Sequence, residues 1–121
     1  MGLKIIGSGS CVPEIVQDNS KFIKSSFYNS DGTKVDLPNS EIIEKFKKIT
    51  GINERRYANK DLNASDLGFI AAKNAIENAN IDPETIDYII LAHNFGDVKY
   101  KSDEIDVFPG LAVRIKNLLK I

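Results

Sequence analysis

Two side chains here have the chemistry for covalent or proton-transfer work, and each occurs once: Cys11 and His93. A thiol next to an imidazole is an activated nucleophile. Both residues follow the ends of expected strands, so one sheet could bring them to a shared edge. Nothing in their spacing supports that pairing. Cys11 reads better as a small half-buried residue of the first turn, because free cysteine commonly behaves as a small apolar group. His93 reads better as a structural or solvent-facing residue. Gly7-x-Gly9 after a strand hints at a nucleotide loop, but the third fingerprint position is Val12 and Pro13 stands where a helix should run. The fingerprint fails, and these are turn glycines. Arg55 and Arg56 offer a phosphate contact. The preferred alternative is a structural one, with one of them turned inward to a carboxylate or backbone carbonyl. Lys45, Lys47, Lys48 and Lys60 make a loose basic region, by default a solvated helix face.

The elements that must position these residues belong to a chain of 121 residues, enough for one modest domain. Apolar residues make up 42% and charged residues 27%, which is ordinary for a globular protein. A net charge of −1 gives no electrostatic case for nucleic acid or an anionic membrane as the main partner. No apolar run has the length of a membrane span. The first residues, with Lys4 alone as a cation and glycines at 7 and 9, make a poor signal peptide. One cysteine excludes an internal disulfide framework, and the expected setting is the reducing cytoplasm.

Leu3 to Gly7 reads as a short buried strand, followed by a turn through Pro13. A short helix is expected around Asn19 to Ser25. Asp31-Gly32 marks a small hairpin within Phe27 to Leu37. Pro38-Asn39-Ser40 opens a helix whose apolar positions are Ile42, Ile43, Phe46 and Ile49, and Gly51 ends it. Glu54 to Tyr57 is a short strand. The glycosylation-like Asn63-Ala64-Ser65 is read as a helix cap, with Ser65 capping and Asp66 at the positive end. Gly68, Ala71, Ala72, Ala75 and Ala79 then give that helix a small-residue face suited to deep packing, and Asn80 terminates it. Asp82-Pro83-Glu84 starts a short turn of helix. Tyr88 to Ala92 is an apolar run fit for a central parallel strand. Asn94 to Asp106 reads as a polar connection, and Pro109 opens a last helix carrying Leu111, Ile115, Leu118 and Leu119. A parallel sheet needs more strands than these, and the last helix leads into none, so the expected α/β fold is incomplete.

Three segments resemble the opening of a β-ketoacyl-acyl-carrier-protein synthase III. They are Ile5 to Pro13, Ile49-Thr50-Gly51-Ile52-Asn53-Glu54-Arg55-Arg56, and the Ala-rich helix followed by Ile86 to Ala92. Phe108-Pro109 adds a fourth point of likeness. The specific element is the Thr-Gly-Ile-x-Glu-Arg signature, and the likeness runs in order over nearly the whole chain. It implies a thiolase-like α/β fold, of which residues 1–121 would be the N-terminal part of the first half: a parallel-strand core with helices on both faces. It also implies an acyltransferase of fatty acid biosynthesis, usually a homodimer. That enzyme condenses an acyl-CoA starter with malonyl-acyl carrier protein and needs neither a metal nor a further cofactor. By this resemblance the nucleophilic Cys and its assisting His and Asn lie outside this chain, so the chain is expected to be inactive by itself.

The same resemblance puts Thr50 beside the mouth of the CoA tunnel. The alternative is a helix-terminal residue bonding a nearby carbonyl. It makes Phe108 a residue that reaches across a dimer interface into the partner's acyl pocket, the alternative being core packing beside Pro109. The basic region becomes a docking option for an acidic carrier protein. The family's usual Trp and Arg correspond to Lys45 and Ile49, and the chain has no Trp. Lys45 cannot stack and Ile49 cannot pair a phosphate, which departs from ordinary CoA recognition. Two other readings remain open at this point: a binding or dimerisation module without catalysis, and a condensing enzyme for specialised acyl chains.

Overall fold

The computed structural model describes residues 2–121. The chain divides into two compact units, Glu14–Tyr57 and Met1–Pro13 with Ala58–Ile121.

In Glu14–Tyr57, strand β1 (Ile15–Asp18) pairs antiparallel with β2 (Glu54–Tyr57), with Ile15 opposite Tyr57 and Asp18 opposite Glu54. A 3-10 helix at Asn19–Lys24 follows β1, capped by the Asp18 carboxylate, which accepts from the Ser20 N–H at 2.8 Å. The expected hairpin closes around Asp31-Gly32. Gly32 takes φ 82°, the left-handed region that favours glycine, and Tyr28 bridges Lys34. Helix α1 (Asn39–Thr50) ends at left-handed Gly51, whose N–H bonds the Lys47 carbonyl. Of the apolar face expected for α1, Ile42 is buried and Ile43 half-buried, whereas Ile49 projects into solvent. Phe46 meets the Phe27 ring at 5.9 Å.

In the other unit, helix α2 (Ala64–Ala79) starts at Asn63 and ends at left-handed Asn80. Ser65 is not its cap: the reciprocal contact comes from Asp66, whose carboxylate accepts from the Asn63 N–H at 2.8 Å. The small face of α2 receives residues 7–9. A Cβ on Gly9 would lie 2.3 Å from the Ala75 nitrogen and 2.4 Å from the Ala71 carbonyl oxygen, so only glycine permits this approach. The face is half-buried rather than deep. The other long contact of α2 is with α3 (Leu111–Leu119), whose Leu111 and Ile115 form the apolar core. Gly68 of α2 leaves the room that the end of the Ile115 side chain occupies.

Residues 94–106, expected as a polar connection, hold a hairpin of β3 (Asp97–Val98) and β4 (Ile105–Asp106), paired antiparallel. The expected parallel-strand core is not formed among the described residues. Leu3 to Gly7 and Tyr88 to Ala92 carry no ladder pairing, and both named sheets are two-stranded and antiparallel. A strand exists through its hydrogen-bonded neighbour, and neither segment has one among the described residues. Most of their apolar side chains stay open to solvent, with Leu3 100% and Ile90 94% exposed, while Ile89 and Leu91 are half-buried.

Candidate functional site

The Thr-Gly-Ile-x-Glu-Arg signature builds one wall of a groove in Glu14–Tyr57. The groove has a volume of about 280 Å³ and an apolar floor of Phe22, Phe27, Ile43, Phe46 and Ile52. Its polar lining is Asn19, Lys47, Thr50, Arg55 and Tyr57, so it carries two cations and no carboxylate.

Hydrogen bonds hold three of these polar groups, Thr50, Asn19 and Arg55. Thr50 Oγ1 donates to the Phe46 carbonyl at 2.7 Å and accepts from the Ile52 N–H at 3.2 Å. This is the helix-terminal bonding weighed from the sequence, and it occurs in a residue that also lines the groove. Asn19 links the strands to the signature: its Nδ2 donates to the Ile52 carbonyl at 2.8 Å, and its Oδ1 accepts from Arg55 Nη1 at 2.9 Å. The Arg55 guanidinium lies 5.5 Å over the Phe22 ring. Arg55 therefore turns inward as expected, although its partner is an amide oxygen. Arg56 takes a carboxylate instead, that of Glu54 at 3.0 Å on the exposed side. Lys45 pairs with Glu41 one turn earlier at 3.3 Å, a solvated helix pair. It does not line this groove.

Cys11 is half-buried. His93 is exposed, and its Nδ1 lies 2.6 Å from the Phe95 carbonyl. A carbonyl can only accept, so Nδ1 carries the proton in that contact. No hydrogen bond joins Cys11 and His93 among the described residues, and no group of three or more His, Cys, Asp or Glu side chains could hold a metal.

Sequence reasoning missed a polar cluster between α2, α3 and the hairpin. Asp97, 3% exposed, accepts from the Ser65 N–H at 2.9 Å and the Ser65 hydroxyl at 2.6 Å. A carboxylate from 32 residues away thus satisfies a free N–H at the positive end of α2. Arg114 Nη1 donates to Asp97 at 3.2 Å and Nη2 to Asp106 at 2.7 Å. The hydrogen bond from Arg114 holds the Asp106 carboxyl below the ordinary carboxylate range, and the same bond raises the Arg114 guanidinium. Arg114 also donates to the carbonyls of Pro109 and Phe108, at 2.7 and 2.9 Å. Phe108 is not packed in a core beside Pro109, as one reading had it: its side chain is 85% exposed. Nothing in the sequence pointed to this cluster except the two carboxylates inside a stretch read as loop.

No family model matches the chain. It is similar to β-ketoacyl-[acyl-carrier-protein] synthase III of Staphylococcus haemolyticus, 40% identical over 102 residues, covering 84% of this chain and 28% of that protein. It is also similar to β-ketoacyl-[acyl-carrier-protein] synthase III 1 of Vibrio vulnificus, 34% identical over 111 residues, covering 92% of this chain and 31% of the relative. A shorter stretch of 49 residues is 53% identical to the Helicobacter pylori protein of the same name, covering 40% of this chain and 15% of the relative. The chain is therefore a mixed helix-and-strand relative of these synthases. It belongs to the β-ketoacyl-acyl-carrier-protein synthase III family, and the resemblance to that family's amino-terminal portion stands. It spans about three-tenths of the length of the curated relatives it matches. None of its helices, among the described residues, is long and apolar enough to cross a membrane.

Proposed function

We propose that this chain supplies ligand-binding and dimer-forming surface for a 3-oxoacyl-ACP synthase III of cytoplasmic fatty acid biosynthesis, and that it performs no condensation by itself. The fold would be thiolase-like, with residues 1–121 as part of its first half. The substrates would be an acyl-CoA starter and malonyl-acyl carrier protein. The observation that carries the reading is the groove behind the signature. Its apolar floor suits a pantetheine or acyl chain, and its lining cations, Lys47 and Arg55, suit phosphates. Thr50 would border that ligand, and Phe108 would enter the acyl pocket of a second copy.

Among the described residues the His93 ring contacts the Phe95 carbonyl and makes no hydrogen bond to Cys11, which supports the inactive reading, because a nucleophilic thiol needs an adjacent base. Acetyl-CoA titrated into the chain by calorimetry is expected to bind. Lys47→Ala should weaken binding by roughly tenfold, on the scale of one lost charge-assisted contact. Thr50→Phe, which fills the groove edge, should abolish it. Mass spectrometry after incubation with acyl-CoA should find Cys11 unmodified. No acetyl-CoA binding, or a thioester on Cys11, would refute the corresponding half of the reading.

A second reading, a condensing enzyme for specialised acyl starters, is favoured by one observation. The positions usually held by Trp and Arg are Lys45, tied to Glu41, and Ile49, which is 80% exposed. Neither offers a stacking plane or a phosphate contact. Tighter binding of a longer acyl-CoA than of acetyl-CoA in the same titration would select this reading.

A further inference from the structure

An aromatic ring left in water is useful for binding only if something holds it ready. Phe108 is 85% exposed, yet the backbone beneath it is held from below. The guanidinium of Arg114 donates to two successive carbonyls, Phe108 at 2.9 Å through Nη2 and Pro109 at 2.7 Å through Nε. The guanidinium is itself fixed by Asp106 at 2.7 Å and by buried Asp97 at 3.2 Å. Asp97 is locked to the first turn of α2 through both the hydroxyl and the N–H of Ser65. A continuous path of short polar contacts therefore runs from α2 to the mount of an exposed phenyl ring.

We propose that Arg114 is a positioning residue that pre-sets Phe108 as a rigid aromatic anchor for the acyl pocket of a second copy of this chain. The inference rests on the reading of Phe108 given above and adds the device that makes that ring effective. A residue already ordered in its bound geometry loses little freedom on binding, and rigid aromatic anchors dominate interface energetics. Arginine suits the task because its planar fork reaches two carbonyls and two carboxylates at once. A lysine ammonium presents only a single point of charge.

The test is backbone relaxation measured by NMR on the full chain. In the unsubstituted protein the Phe108 N–H should have an order parameter of about 0.85, as in rigid backbone; a value below about 0.6 overturns the proposal without any variant. In Arg114→Gln the Phe108 value should fall below about 0.6 while the α2 and α3 amides keep theirs. Arg114→Lys should give an intermediate value. An unchanged Phe108 in folded Arg114→Gln overturns the proposal.

A second readout separates this from the pocket reading. The chain has no Trp, so Phe108→Trp introduces a single tryptophan, excited apart from the tyrosines. Its emission should shift to the blue as protein concentration rises and the ring enters a second copy. A rigid Phe108 with no such shift supports the positioning role and sinks the pocket reading. A mobile Phe108 sinks the positioning role whatever the shift.

Discussion

The two units of this chain differ in what their distant contacts bury. Glu14–Tyr57 is closed by the β1–β2 pairing and by the Asn19 bonds to Ile52 and Arg55. Its turns and helix ends are set by short-range devices: the Asp18 cap of its 3-10 helix, the Asp31 contact with Thr33 in the hairpin turn, and the Gly51 ending of α1. Among the described residues its buried apolar residue is Ile42, and its aromatic side chains other than Tyr28 line a groove. The other unit depends on contacts between distant residues. Its buried apolar residues are Leu111 and Ile115, of which Ile115 packs at the distant Gly68, and Asp97 reaches across to Ser65. Distant contacts made mainly through backbone and an amide leave the aromatic side chains open, whereas buried distant contacts spend side chains on holding elements together.

Substitutions can sharpen this contrast or break it. The largest effect is expected for Ile115→Ala, which empties a site 2% exposed and should cost about 3–4 kcal/mol in denaturant unfolding. Asp97→Ala comes next, at about 2–3 kcal/mol, because it strips partners from a buried hydroxyl and a helix N–H together. If it cost no more than an ordinary surface change, the polar cluster would not be what holds this unit. Asp66→Ala removes only the local contact at the start of α2 and should cost about 1 kcal/mol.

The smallest effect is in acid. The Asp106 carboxyl is held below its ordinary value of 3.8, chiefly by the Arg114 hydrogen bond. A lowered folded value means the stabilising contribution is complete above pH 3.8 and is lost as pH falls through the folded value. Asp106→Asn should flatten the stability of the chain in that window, as followed by circular dichroism. In Glu14–Tyr57 the carboxyls of Asp18 and Asp31 are lowered by their own short-range partners, Ser20 and Thr33, so a similar acid loss there should persist in Asp106→Asn.

Legibility in the sequence follows the range of the contacts rather than the unit. Helix α1 was readable from Pro38 to Gly51 because start signal, apolar spacing and glycine stop all lie within one short window. Strand Glu54–Tyr57, the Asp31-Gly32 turn and the Asn80 ending of α2 were readable for the same reason. Of the candidate site residues, Thr50 had two readings, a tunnel-mouth residue by the resemblance and a helix-terminal residue by its local bonding; the helix-terminal bond is present, in a residue that also lines the groove. The face that Phe108 presents was not readable, since an apolar residue beside proline suits a core equally well. Leu3 to Gly7 and Tyr88 to Ala92 have the composition of strands but find no partner among the described residues, and composition cannot supply one.

The sequence by itself determined the family through a motif of contiguous residues. It also determined most element boundaries, because capping, turn chemistry and helical period act within a few residues of each other. The tertiary structure alone decided that Ser65 serves Asp97 rather than the helix cap, that a hairpin stands at 97–106, and that Arg114 reaches back to Phe108. Those contacts depend on which distant groups arrive together with their hydrogen bonds unfilled, and no local pattern encodes that arrival.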